Sequence, residues 1–207
     1  MAPHPLIDKE APSFTLPDAN GAVFNFPPQD KGRRIEKPIA LFFYPRSGTF
    51  GCTREACQFR DALAENEIFK RSSVQIIGIS ADPITKQKAF VEKNHLSFPV
   101  LSDQDHVAYR AFNVGKCMFG LTGARMTFVI DGNGVIRGVL SASMSYSAHV
   151  KFVIKQLEKI QESKGKSMGT SDEAAAAQRH GQSSSSEESP SSPERDELGR
   201  VAQAICA

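Results

Sequence analysis

Apolar residues along this chain gather into short runs separated by polar stretches rich in glycine and proline, and the spacing within each run predicts its structure. Residues 39–44, IALFFY, are continuous, aromatic-rich and stopped by Pro45, which is the pattern of a buried strand. Helix-forming residues follow over 53–69, with Ala56, Phe59, Leu63 and Ile68 on one side, so that Cys52 falls in the first turn. Residues 74–80, VQIIGIS, read as a second buried strand and 84–94 as a second helix, with Pro83 at its start where a missing amide costs nothing. A short strand at 98–101, a short helix at 105–112 and a hairpin of 126–131 with 135–140 come next. Val150, Val153, Ile154, Leu157 and Ile160 recur at helical spacing and predict a closing amphipathic helix over 147–162. Ahead of all these, residues 1–12 read as extended, Asn20-Gly21 between two short alternating runs reads as a hairpin, and 27–38 reads as a loop. This order of elements predicts an α/β fold with one mixed central sheet and helices on both faces.

Beyond residue 163 the apolar pattern stops. Serines 183–186, the acids after them and two Ser-Pro pairs lack the apolar content to offset chain ordering, so we expect a domain at 1–163 and a disordered Ser/Glu-rich tail at 164–207. The domain holds 20 Lys+Arg against 16 Asp+Glu and the tail 5 against 7, neither of which marks a nucleic-acid binder. Four irregularly spaced cysteines are too few for a disulfide scaffold of this size, and no apolar run follows Met1 that would serve as a secretion signal or membrane span. The expectation is a cytoplasmic or nuclear protein with no membrane and no nucleic-acid partner.

The chemistry of the chain concentrates at Cys52. Helix N-termini carry unpaired amides and partial positive charge, which favour a thiolate and make a cysteine there nucleophilic. Three readings of Cys52 and Cys57 stand open on the residues alone: small packing residues, a metal site, and a redox pair. Only Cys117 and scattered histidines would complete a zinc site, whereas Thr49 three residues ahead and Pro45 at the strand end suit redox chemistry.

Pro45, Thr49 and Cys52 spell P-x-x-x-T-x-x-C, and the setting YPRSGTFGCTREACQFRD resembles peroxiredoxins of the bacterioferritin comigratory protein, or peroxiredoxin Q, subfamily. The resemblance runs from Ile7 to Ile160 and includes APSFTLPDANG, GIS followed by Asp82, FPVLSD, and ARMTFVIDGNGVIR with Arg125. It departs at Phe50, where the subfamily usually has proline, and in the long tail. The resemblance implies a thioredoxin-like fold of the AhpC/TSA type and a thiol peroxidase needing no metal, haem or flavin.

In that scheme Cys52 is the peroxidatic thiolate, and Arg125, the Thr49 hydroxyl and the amides around Cys52 stabilise charge while Pro45 shields the sulfur. Cys57 is implied as the resolving cysteine, with Cys117 and Cys206 as rivals. In an unbroken helix two residues five apart have Cα atoms about 8 to 9 Å apart, more than the roughly 7 Å a disulfide tolerates. The helix start must therefore unwind for the two to join, and Gly48 and Gly51, both expected in the loop before the helix, would ease that. The implied partners are a peroxide, with Phe50 and Phe119 leaving room for bulky ones, and thioredoxin or a similar dithiol reductant; the implied state is a monomer. A thioredoxin-like disulfide reductase is a weaker fit, because it calls for C-x-x-C where this chain has C-x4-C. A peroxide sensor that signals without turnover is the alternative from another class.

Overall fold

The computed structural model describes residues 3–117, 122–123, 125–142 and 145–177, with side chains described through 115, from 125 to 142 and from 145 to 163. Two compact units divide the chain, Met1–Met168 and Gly169–Ala207. The described part of the second, residues 169–177, is helical, and the sheet and the site belong to the first.

Five strands form the central sheet: β5 (Ile39–Phe43), β6 (Gln75–Ser80), β7 (Val100–Ser102), β10 (Met126–Ile130) and β11 (Ile136–Ser141). Their order is β11-β10-β5-β6-β7, with β5, β6 and β7 parallel, β10 antiparallel to β5 and β11 antiparallel to β10. The parallel pairs need crossover helices, which are α1 (Phe50–Glu65) with α2 (Glu67–Ser72), and α3 (Ile84–Asn94). Short hairpins β1 (Phe14–Pro17) with β2 (Val23–Phe26), β3 (Gln29–Asp30) with β4 (Arg33–Arg34) and β8 (Lys116–Cys117) with β9 (Thr122–Gly123), together with α4 (Val107–Ala111) and α5 (Tyr146–Ala177), complete the described elements.

Successive side chains of a strand face opposite sides, and β5 divides the core accordingly. Leu41 and Phe43 pack with Ile77, Ile79, Phe112 and Phe128 beneath the β1–β2 hairpin and α4. Ala40, Phe42 and Tyr44 face Phe59, Phe90, Val153 and Leu157 from α1, α3 and α5. Every residue of β5 is buried, as expected of a central strand covered on both faces.

Five expectations need correction, the first being residues 27–38, expected as a loop, which carry the β3–β4 hairpin. The single helix expected over 53–69 is two, because Asn66 caps both: its amide closes α1 on the Ala62 carbonyl, and its side chain accepts from the Ile68 and Phe69 amides to start α2. Asparagine supplies this local alternative to helix propagation more readily than any of its neighbours. The N-terminal stretch is not extended throughout but turns at residues 5–8, pinned by the Asp8 amide on the Ile136 carbonyl. Gly51 lies inside α1 rather than in the loop before it. The closing helix starts at Tyr146 and runs through Ala177, past the expected end at 162, since extending a nucleated helix is cheap and the alanines at 174–177 favour it. The expected tail beyond 177 lies outside the described residues, as do Phe119 and Cys206; of Cys117 only the backbone is described.

Candidate active site

The site is built where β5 ends. The loop from Tyr44 to Thr49 is held from α3 and β6: the Tyr44 hydroxyl donates to Gln87 Oε1 (2.6 Å), the Ser47 amide donates to Asp82 Oδ2 (2.5 Å), and Gln87 Nε2 donates to Ser80 Oγ (2.8 Å). Burial works against ionisation of Asp82, yet hydrogen bonds from Lys86 and Ser47 hold its carboxyl below the usual range. Gly48 then takes φ +79°, a left-handed turn that points the chain into α1. The loop is thus pinned at Tyr44 and Ser47, and Cys52 follows as the third helical residue, among the unpaired amides of the first turn.

Arg125 reaches the same place from β10, which flanks β5 on the edge opposite β6. It precedes β10, whose first residue Met126 pairs with Phe43 at the end of β5, so register alone delivers the guanidinium beside the α1 start. Its Nη2 donates to Cys52 Sγ at 3.2 Å, and its Nη1 pairs with Glu55 one turn further along α1. Burial disfavours its charge, but Glu55 and Cys52 more than compensate and raise it above the ordinary guanidinium range. The Tyr146 ring covers the guanidinium, 4.9 Å from its centroid, and meets the exposed Phe50 ring edge-on at the mouth of the site. Cys52 itself is only 1% exposed, and Phe50 with Tyr146 forms an aromatic lip beside the Arg125 guanidinium that contacts its sulfur.

Of the residues expected in the site, Cys52 and Arg125 are in direct contact. Pro45 is half-buried two residues past the end of β5, four residues before the helix cap Thr49. Thr49 is exposed, and its hydroxyl donates to the Arg46 carbonyl (3.0 Å) rather than to the sulfur, leaving its lone pairs free to accept. Cys57 sits half-buried on the same unbroken α1, its Sγ 3.9 Å from Asn94 Oδ1. Both are free thiols. Among the described residues no cluster of three or more His, Cys, Asp or Glu is arranged to hold a metal.

Three residues of the site went unread in the sequence. Glu55 is fully buried against Arg125, and burial, opposed by that cation, pushes its carboxyl up to about 7. His149 is fully buried on α5, and burial pushes its imidazole down. Tyr146 packs so closely on Gly51 that a Cβ there would overlap its ring. A signal existed for two of them: Glu55 stands three residues after Cys52 and so shares its helical face, and His149 precedes Val153 and Leu157 at steps of four on the apolar stripe.

A cysteine in the first helical turn after a central parallel strand, with an arginine from the start of β10 on its sulfur, places a candidate thiol site on a thioredoxin-like fold. The AhpC/TSA family model matches residues 7–139, and the chain belongs to that family, in its peroxiredoxin Q/bacterioferritin comigratory protein branch. It is 36% identical over 149 residues to the chloroplastic peroxiredoxin Q of Suaeda salsa, covering 72% of this chain and 66% of that protein. To the chloroplastic peroxiredoxin Q of Sedum lineare it is 34% identical over 149 residues, covering 72% and 76%. The chain thus spans just under two thirds of the Suaeda protein's length. Among solved structures, peroxidoxin BcpB from Mycobacterium tuberculosis superposes with a TM-score of 0.64 at 33% identity, covering 74% of this chain and 97% of that one. The bacterioferritin comigratory protein of Xanthomonas campestris, studied for its alkyl peroxide reduction, shares the fold at a TM-score of 0.60 and 24% identity, covering 70% and 90%.

Proposed function

We propose that the protein is a thiol peroxidase in which Cys52 is oxidised by hydrogen peroxide or an organic hydroperoxide, Cys57 resolves the product, and a dithiol protein such as thioredoxin restores both thiols. The Arg125 guanidinium resting on the Cys52 sulfur carries this reading. The thiolate attacks the terminal peroxide oxygen; the O–O bond breaks, its electron pair leaves with the alkoxide or hydroxide, and the sulfur becomes a sulfenic acid. A proton from solvent then yields alcohol or water. Arg125 and the first-turn amides suit the charge that develops on sulfur and oxygen, Thr49 can accept from the incoming O–H, and Pro45 narrows water's approach.

Resolution follows when the Cys57 thiol displaces water from the sulfenic acid. Because both sulfurs start on one continuous helix, the first turns of α1 must open before the bond can form, and Gly48 lies where that movement begins. A single chain supplies both thiols, which supports a monomer. Recycling by a dithiol protein needs a reducing compartment, which supports the cytoplasm or nucleus; among the described residues no helix is long and apolar enough to cross a membrane. Residues 1–163 form the catalytic domain in this reading, with the residues from 164 a polar extension.

A thioredoxin-coupled peroxidase assay on wild type, Cys52→Ser and Cys57→Ser tests it. Wild type turns over, Cys52→Ser consumes no peroxide, and Cys57→Ser reduces one peroxide per chain and stalls. Stoichiometric oxidation of the wild type without turnover would replace the enzyme by a sensor. Amide exchange across residues 50–60 rises on oxidation if α1 opens; equal protection in both states sinks that step.

A further inference from the structure

His149 takes no part in the chemistry above, yet it is fully buried 3.5 Å from Glu55, the residue that shares Arg125 with Cys52. Its hydrogen bonds settle its tautomer. Nε2 lies 2.9 Å from the Ala142 carbonyl, which can only accept, so Nε2 carries a proton. In the neutral ring Nδ1 is then bare, and the Thr127 hydroxyl at 2.8 Å donates to it. Glu55 Oε1 faces the same Nδ1, is buried, and has no hydrogen-bond partner, while Oε2 is held by Arg125. Two acceptors therefore confront each other in a closed space, an arrangement that becomes satisfied when one proton is placed between them.

We propose that His149 is a positioning residue for Cys52: with Glu55 it holds a single shared proton, and the presence of that proton decides how much of Arg125 is left for the sulfur. This rests on the peroxidase reading of Cys52. The charges make the direction plain. With the proton in place, the thiolate, Arg125, Glu55 and His149 sum to zero, and of these groups only the thiolate draws on the guanidinium as an anion. Without it the enclosed site carries one excess negative charge, and Glu55 competes in full with Cys52 for the same fork. By reciprocity, a charged sulfur strengthens the pair's hold on its proton, and conversion to a neutral sulfenic acid weakens it.

The other titratable groups around Cys52 and the pair do not supply an alternative proton. Arg125 stays charged, and burial pushes the Tyr44 and Tyr109 phenols up, out of the working range. Tyr146 faces Arg125 from the same helix as His149, and the Thr127 hydroxyl faces the ring from β10. The burial-driven rise of Glu55 to about 7 puts the exchange near neutral pH. Because His149 is on α5 and Glu55 on α1, the pair also ties the C-terminal helix to the reactive sulfur.

The test is the rate of single-turnover oxidation of Cys52 by hydrogen peroxide, from about pH 5.5 to 9, in wild type, His149→Gln, Glu55→Gln and the double variant. The wild-type rate should decline on the alkaline side as the pair empties. Glu55→Gln, whose amide keeps its protons, should show no such decline. His149→Gln should move the decline about one pH unit lower, which is about tenfold slower oxidation at a fixed alkaline pH. The double variant should follow Glu55→Gln. Profiles of one shape that differ only by a constant factor, or a double variant showing the product of the two single effects, would overturn the proposal. As a check that needs no variant at the pair, the His149 ring resonances should titrate at a different pH in Cys52→Ser than in the reduced wild type; an identical midpoint also overturns it. If wild type itself is not oxidised, the peroxidase reading has failed instead.

Discussion

Replacing Arg125 by methionine removes the cation while keeping an unbranched apolar side chain in its place. A unit charge 3.2 Å from the sulfur is worth about 5 kcal/mol at an effective dielectric of 20, but this is an upper bound, because the Glu55 carboxylate on the other arm of the guanidinium cancels much of it. What survives is the local hydrogen bond to an ionised acceptor, about 1.5–3 kcal/mol. That corresponds to a loss of roughly ten- to a hundredfold in the rate of Cys52 oxidation. Stopped-flow single turnover with hydrogen peroxide at neutral pH measures it, and Arg125→Lys, which keeps charge without the fork, should fall between. A second consequence concerns Glu55. Its folded value already lies above that of the unfolded chain, so the folded state binds the extra proton and stability declines as pH rises from the ordinary carboxylate range to about 7. Without Arg125 nothing offsets burial, the value moves higher, and the decline continues further. The variant should therefore lose more stability at pH 8 than at pH 5 relative to wild type. A folded Arg125→Met protein oxidised at the wild-type rate, or a stability loss independent of pH, would refute the reasoning.

Three further perturbations probe the lip and the helix break. Gly51→Ala drives a methyl group into the Tyr146 ring; we expect a loss of about 1–3 kcal/mol, seen as a lower denaturant midpoint and largely relieved in a Tyr146→Ala background, where the overlap is gone. Phe50→Pro places proline at the first residue of α1, where it is well tolerated, and Phe50 is 74% exposed. Stability should change by no more than about 0.5 kcal/mol, whereas the ratio of rates for a bulky aromatic hydroperoxide and for hydrogen peroxide should fall. Asn66→Ala removes two hydrogen bonds to the α2 amides and should cost about 1 kcal/mol, lowering the melting temperature by about 2–4 °C; an unchanged transition would mean that α2 is held by its packing alone.

The periodic pattern determined the elements of the sheet, because a strand buried on both faces has few ways to be written: IALFF, QIIGIS and MTFVI announce themselves, and their order implies crossover helices. Cys52 was legible for a similar reason, since its helix start, Thr49 and Pro45 are neighbours in sequence and their chemistry is local. Asn66 was also visible, but a helical run of favourable residues outweighed a cap whose effect depends on which amides its side chain meets.

What only the tertiary structure decided is where side chains from distant elements converge. Arg125 enters the site through strand register, Glu55 is buried with Arg125 paired to it, and His149 meets Thr127 and Glu55 only once α5 packs against α1 and β10. A polar residue on an apolar stripe marks itself as unusual, but its partners lie about twenty to ninety residues away, and no periodicity carries that information. Charge and proton affinity at such a site are set by burial and by neighbours in space, quantities that come into being when the chain folds.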